Sequence, residues 1–408
     1  MKKFFLTLLN RYAQSSLILR ILCGLILGAI LALIVPQWTG IGILGQVFVS
    51  ALKAVAPILV AVLVVSSIAR AKGGLGPRFR TVIILYLLTT LVAALVAVAG
   101  SFLFPVTIDL QGSAGGELPG GLHEIFSSLL NNMVANPVLA LTTGNYIGIL
   151  FWSVIVGLAI RLTGSRTVIT FMGELSDVIS LAVKWIIQFA PFGILGLVFS
   201  SVSEGGLAVF SDYGRLVLLL VGCMLVTSLL VNPLLASFFL RRNPYPLLWQ
   251  CLKESGLSAF FTRSSAANIP MNMALCKKLG LDEEFYSVSI PLGSTINMDG
   301  AAVTITVLTL SVANTLGMDV SFGSALLLSI VATLGACGAS GVAGGSLLLV
   351  PMACSLYGIP QDIAMQAVAV GFIISVIQDS VETALNSSGD AFFTAVAELH
   401  DRRARMRR

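Results

Sequence analysis

Charge-poor apolar stretches recur along the whole chain, near residues 17–35, 43–69, 81–105, 146–160, 178–200, 214–240, 284–316 and 361–398. A helix needs roughly 20 such residues to cross the hydrocarbon of a bilayer, so these stretches suffice for eight crossings. Two more, about 245–276 and 321–357, are apolar but interrupted by Ser, Gly, Asn and Pro. Only 11% of the 408 residues are charged and 57% are apolar, whereas a soluble domain carries about 25% charge. A soluble chain of this kind would expose large apolar patches and aggregate. Lipid is the solvent that suits it. In lipid the backbone must bond to itself, which runs of this length do as helices. The sequence therefore predicts an all-α polytopic membrane protein.

Charge placement favours eight crossings plus two segments that enter and return on the same side. One side then collects Lys2, Lys3, Arg11, Arg20, Arg70, Lys72, Arg78, Arg80, Arg161, Arg166, Arg241, Arg242, Lys277, Lys278 and the tail Arg402, Arg403, Arg405, Arg407 and Arg408. By the positive-inside rule this is the cytoplasmic side. The other side holds Asp109, Glu117, Glu124, Glu204, Asp212, Asp319 and Asp362, with Arg215 its single nearby cation. Both termini are then cytoplasmic; the first interrupted segment opens inward and the second outward. Residues 401–408 read as a solvated anchor facing anionic membrane lipid, in preference to a nucleic-acid contact. Pro36-Gln37-Trp38 follows the first apolar run where a cleavage site would need small residues, so that run reads as a retained span. The glycine-rich loop 106–145 has no Lys or Arg and reads as an exposed connection. Six cysteines without a C-x-x-C pair read as small buried hydrophobes. His123 and His400 stand far apart in polar segments, which argues against a zinc site or a Ser–His pair.

The interruptions are chemically specific. Residues 262–270 read Thr-Arg-Ser-Ser-Ala-Ala-Asn-Ile-Pro, and residues 335–345 hold five glycines in eleven positions. Each glycine costs a helix roughly 1 kcal/mol relative to alanine, and an unpaired backbone group in hydrocarbon costs several kcal/mol more. Such a backbone survives only when buried in protein or lining a wet cavity, and its free N–H and C=O groups can hold ions. Glycines for helix packing would instead recur every fourth residue along an unbroken span.

The last apolar stretch carries Asp379, Glu382, Thr383, Asn386 and Asp390. At 100° per residue, Asp379, Thr383, Asn386 and Asp390 fall within about 60° of one another, and Glu382 borders them. Each acid at mid-membrane costs at least about 2.5 kcal/mol unless paired or hydrated. Three on one face imply a path for a cation or polar ligand. A structural salt-bridge network is the alternative, and Arg263 is its one obvious intramembrane partner. The stretch 284–316 adds Thr295, Asn297 and Asp299, with Gly300 predicting a local unwinding. Carboxylate, amide and carbonyl oxygens suit a hard cation. Tyr86, Thr89 and Thr90 lie one turn apart on the third stretch. The second half thus repeats one plan, a broken hairpin followed by a helix with Asn and Asp, in opposite orientations; inverted repeats with interrupted helices point to a secondary-transporter site.

Arg263-Ser264-Ser265, Asn297-Met298-Asp299-Gly300, the tip Gly341-Val342-Ala343-Gly344-Gly345 and Asp379-x-x-x-Thr383-x-x-Asn386-x-x-Gly389-Asp390 together resemble the dicarboxylate/amino acid:cation symporters, the glutamate-transporter homologues. The resemblance covers nearly the whole chain and is highly specific. It implies eight transmembrane helices plus two re-entrant helical hairpins in inverted repeats, a homotrimer in the bacterial inner membrane, and an elevator-type movement. It divides the chain into an N-terminal six-helix half, 1–242, and a core transport half, 243–400 (hairpin 245–276, helix 284–316, hairpin 321–357, helix 361–398). The basic tail 401–408 follows. Helices one, two, four and five would be mainly scaffold; helices three and six would join the transport domain.

By position the resemblance assigns the substrate ammonium to Asp379. It assigns the rest of the substrate to Thr383, Asn386, Glu382, the inner tip Arg263, Ser264 and Ser265, and the outer tip at Val342. One sodium ion would use Asp390 with carbonyls of Gly293, Asn297 and Asn386. A second would use carbonyls of Thr295 and of Ala336, Cys337 and Ala339, and a third Asp299, Asn297, Tyr86, Thr89 and Thr90. Three departures point to a small net-neutral substrate. Members that carry acidic substrates have arginine where this chain has Glu382, and a carboxylate there would repel a side-chain carboxylate. Ala301 stands where aspartate-selective members have threonine, and the inner tip keeps only two serines. Ser346 is placed to meet a substrate hydroxyl. Within the family the chain looks most like the bacterial members that import serine and threonine with sodium. A channel would need a pore lined by repeated rings, which one asymmetric stripe does not supply. An aspartyl intramembrane protease would need Gly-x-Gly-Asp where residues 387–390 read Ser-Ser-Gly-Asp. No G-x-x-x-x-G-K-[ST] loop supports an ATP-driven pump.

Overall fold

The computed structural model describes residues 17–70, 76–110, 130–337, 339 and 344–406. Among them every regular element is helical and no strand occurs. In chain order the helices are α1 Leu17–Ile34, α2 Gly42–Arg70, α3 Gly76–Leu103, α4 Pro137–Thr143, α5 Tyr146–Thr163, α6 Arg166–Gln188, α7 Ala190–Gly205, α8 Val209–Val226 and α9 Asn232–Leu240. They continue as α10 Tyr245–Cys251, α11 Leu257–Thr262, α12 Ser265–Lys278, α13 Glu283–Ile296, α14 Asp299–Thr315, α15 Phe322–Ala336, α16 Val350–Ser355 and α17 Gln361–Met406. Wider π-type turns at Thr227–Val231 and Leu252–Gly256 join α8 to α9 and α10 to α11.

Six of the described helical stretches are long and apolar enough to cross a membrane, and a bent pair makes a seventh. The protein is therefore a multi-pass membrane protein. The bent pair departs from the single span expected at 178–200. Here α6 starts at Arg166, capped by the Ser165 hydroxyl, which accepts from the Val168 N–H. It stops at Gln188, and α7 leaves at 51°. The reason is local: Pro191 in the first turn of α7 has no N–H to continue the ladder, and Phe189 N–H turns back to the Ile186 carbonyl.

Packing sorts the helices into two sets. In one, α1 lies along α7, and α2 packs on α5, α6 and α7. Gly24 and Gly28 make the α1–α7 contact possible: a Cβ there would stand 2.2 Å from the Pro191 carbonyl oxygen and 2.5 Å from that of Leu195. In the other, α3, α8, α11, α12, α13, α14 and α16 all pack against α17, and α3 also lies along α14 and α15. The sets meet where α17 touches α1, α2 and α7. Phe48 and Phe372 pack edge to face at 5.2 Å across that seam, and Lys53 pairs with Asp362.

Both interrupted segments are helices broken into shorter pieces. In the first, Arg263 ends α11 at a positive φ of 51°, and the Ser264 hydroxyl caps α12 by accepting from the Ala267 N–H. In the second, α15 and α16 contact each other.

Candidate functional site

The helix at 284–316 is broken, as Gly300 suggested. Asn297 (φ −95°, ψ 79°) and Met298 (φ −121°, ψ 50°) leave helical geometry between α13 and α14. Asn297 is turned toward α17: its Nδ2 donates to the Asn386 carbonyl at 3.2 Å and to Asp390 Oδ1 at 3.0 Å. From α3, Thr89 donates to Asn297 Oδ1 at 3.4 Å and Thr90 to Asp299 Oδ1 at 3.1 Å. The Tyr86 hydroxyl reaches the Asp390 carbonyl at 3.2 Å and the Thr394 hydroxyl at 2.9 Å. Tyr86, Thr89, Thr90, Asn297, Asp299 and Asp390 all have 0% exposure. Gly293 leaves them room, since a Cβ there would lie 2.8 Å from Asp390 Oδ1 and 2.9 Å from the Tyr86 hydroxyl.

Two acids in this cluster differ. Asp299 has a donor on each oxygen, because Asn232 Nδ2 reaches Oδ2 at 3.0 Å. Asp390 Oδ2 is buried and has no hydrogen-bond partner among the described residues. A buried carboxylate oxygen in that state is costly unless a cation or proton joins it. Carboxylate, amide, hydroxyl and carbonyl oxygens converge here, which is a donor set for a hard cation.

About three turns before Asp390 on α17, Asp379 ties the two interrupted segments together. Arg263 Nε donates to its Oδ2 at 2.6 Å and the Gly344 N–H to its Oδ1 at 3.2 Å. Arg263 and Asp379 are both buried. Thr383 returns its hydroxyl to the Asp379 carbonyl. Asn386 accepts from the Gly300 N–H at 2.7 Å and donates to Met298 Sδ at 3.5 Å. Glu382 takes three donors on Oε2: Thr304 at 2.7 Å, Ser346 at 2.9 Å and Gln378 at 2.5 Å. Arg263 is thus the partner of one acid only, and neutral groups solvate the other two.

The remaining expected residues fall as follows. Ser265 is buried at the start of α12. The Thr295 hydroxyl turns back to the Leu292 carbonyl. Ala336 and Ala339 are buried, and Cys337 Sγ donates to the Ile296 carbonyl at 3.6 Å, setting the end of α15 beside the end of α13. Val342 lies outside the described residues. The Ser346 hydroxyl is engaged with Glu382, where a substrate hydroxyl was expected to meet it. Asn232, Thr304, Gln378, Ser289 and Thr394 escaped sequence reading. The signal for Gln378 was present, one residue before Asp379 and one turn before Glu382; the others are single polar residues in apolar runs, where a helix ordinarily satisfies them itself. An apolar groove of about 840 Å³ between α3 and α8 holds none of these residues.

The profile of the sodium:dicarboxylate symporter family matches residues 17–399. The chain belongs to that family. It is 58% identical over 390 residues to the serine/threonine transporter SstT of Bifidobacterium adolescentis, covering 95% of this chain and 91% of that protein. It is 55% identical over 400 residues to the transporter of the same name from Streptococcus agalactiae, and 53% identical over 400 residues to that of Streptococcus thermophilus, with 98% of both chains covered in each case. Membership makes the protein a transporter and not an enzyme.

Proposed function

We propose that the protein imports serine and threonine across the bacterial inner membrane by sodium-coupled symport. The observation that carries this reading is the oxygen cluster at the α13–α14 break, where buried Asp390 Oδ2 lacks a partner among the described residues. Sodium, carried as a co-substrate, supplies the missing charge and draws Asn297 and Asn386 into one ligand set. Asn386, whose carbonyl Asn297 holds, also lies one turn from Glu382 on α17, so occupancy by cation and by amino acid is linked through a shared group. Asp379, bonded to both hairpin tips, takes the substrate ammonium, with Thr383, Asn386, the inner tip at Ser264 and Ser265, and the outer tip flanking the amino acid.

Two facts support hydroxyl amino acids as substrates. The relatives named above are called serine/threonine transporters. And the buried charge at position 382 is negative, with no cation among its three hydrogen-bond donors, which opposes a second substrate carboxylate. The two packing sets support a division into a scaffold (α1, α2, α5, α6, α7) and a moving unit (α3, α8 through α17); travel as an elevator, eight crossings, two re-entrant hairpins, cytoplasmic termini and a trimeric assembly complete the proposal by resemblance to the family.

The test is uptake of labelled serine by proteoliposomes. Replacing sodium by choline abolishes accumulation, and unlabelled threonine competes while aspartate does not. Equal uptake in choline removes sodium coupling; competition by aspartate as strong as by threonine removes the substrate reading.

A further inference from the structure

The reading above leaves Thr304 and Gln378 without a role, and both are fully buried beside Glu382. The Gln378 side-chain nitrogen donates to Thr304 Oγ1 at 2.8 Å and to Glu382 Oε2 at 2.5 Å. The Thr304 hydroxyl donates to the same Oε2 at 2.7 Å, and so does Ser346 at 2.9 Å. Three donors from three elements, α14, α17 and the turn before α16, therefore converge on one oxygen of one carboxylate. None of the three falls on Oε1. A carboxylate has about four lone-pair sites shared by two oxygens. Holding one oxygen with three donors fixes the plane of the group and aims the other.

We propose that Thr304 and Gln378 are positioning residues for substrate selection: they clamp Glu382 through Oε2 so that Oε1 accepts the hydroxyl hydrogen of serine or threonine. The clamp rests on the serine/threonine reading and deepens it. Repulsion by Glu382 explains why an acidic side chain is refused; it does not explain why a hydroxyl is preferred to a plain methyl. An aimed acceptor does, because binding a hydroxyl-free analogue leaves a buried charged oxygen unpaired, and sites built to bond a hydroxyl reject such analogues far more strongly than apolar pockets do. Gln378 fits this role and not that of a simple core filler. It is a long polar side chain with 0% exposure, and its own Oε1 has no partner among the described residues. An apolar residue would fill that volume at lower cost. Ser346 belongs to the second hairpin, so the clamp is complete only when that hairpin is against α17.

The experiment measures, in proteoliposomes, the apparent affinity for serine and the inhibition constant of alanine against serine uptake. It compares the unmodified protein with Gln378→Leu, Thr304→Val and Thr304→Ser. Loss of a hydrogen bond to a charged group weakens binding by about ten- to a hundredfold. Gln378→Leu and Thr304→Val are expected to weaken serine by at least about tenfold while alanine stays the same or binds better. Thr304→Ser, which keeps the hydroxyl, retains the original preference. Equal changes for serine and alanine in Gln378→Leu and Thr304→Val, or no change for either, overturn the clamp. Should either variant fail to fold, loss of the serine-over-alanine preference in Thr304→Ser overturns it as well, because that variant removes only a methyl. Failure of the unmodified protein to accumulate serine or threonine would refute the underlying function instead, so the two failures are distinguishable.

Discussion

The α1–α7 contact and the α14–α17 contact are both helix against helix, and opposite physics holds them. Along α1 and α7 the backbones approach because Gly24 and Gly28 carry no side chain, and the outer faces of both helices remain apolar, with Leu19, Ile26, Leu33 and Phe192 exposed. Between α14 and α17 the helices are held by Gln378, Glu382, Asn386 and Asp390 meeting Thr304, Gly300 and Asn297. The most apolar window of Glu283–Thr315 is 94% buried, against 44% for Thr39–Arg70. In membranes, close packing of small residues supplies association without chemistry, whereas buried polar networks are expensive and mark function. One contact is satisfied by close packing alone, and the other includes a buried carboxylate oxygen, Asp390 Oδ2, with no hydrogen-bond partner among the described residues.

The largest effect that would break this contrast is at Asp379. Asp379→Asn strips Arg263 of its partner, which costs about 3–5 kcal/mol for a buried pair, and serine uptake falls to background. The double variant Arg263→Met with Asp379→Asn recovers thermal stability and leaves uptake absent. If uptake returns with stability, Asp379 holds the hairpins and nothing else. Next comes Asp390→Asn: the sodium concentration for half-maximal uptake rises by at least about tenfold, equivalent to ~1.4 kcal/mol, with the melting temperature of the purified protein little changed. An unaltered sodium requirement would reduce Asp390 to a structural group.

Gly24→Ala should do the reverse. The carbonyl at 2.2 Å cannot give way as a side chain would, so stability falls by about 1–3 kcal/mol while the sodium dependence of the surviving protein is unchanged. A shifted sodium dependence would show that the two helix sets are not energetically separate. The smallest effect lies at the surface. The Arg78 guanidinium, donating to Asp282 at 2.5 Å, holds that carboxyl below the usual aspartate range. A depressed folded value stabilises above the ordinary value near 4 and is lost as pH falls through the lower, folded one. Melting curves taken from pH 6 down to pH 3 are expected to be flatter for Asp282→Asn than for the unmodified protein.

The apolar runs, the helical class and the polar stripe on α17 were legible in the residues alone. The first two follow from the solvent, because hydrocarbon leaves a long apolar run little choice but the helix. The stripe follows from the 100° step, which puts Asp379, Thr383, Asn386 and Asp390 on one face before any contact is known. Partner choice was not legible. The residues alone offered Arg263 as the obvious cation for three acids, but not that Asp379, 116 positions away, is the one it pairs with, nor that Asn232 reaches Asp299, nor that Thr304 and Gln378 gather on Glu382. Those pairings depend on which helix faces are pressed together and in which register, and that is decided by the packing of the whole chain. The bend at Phe189 belongs to the same class: Pro191 signals a break, but neither its 51° angle nor the packing of α7 on α1 and α2 can be read from that residue.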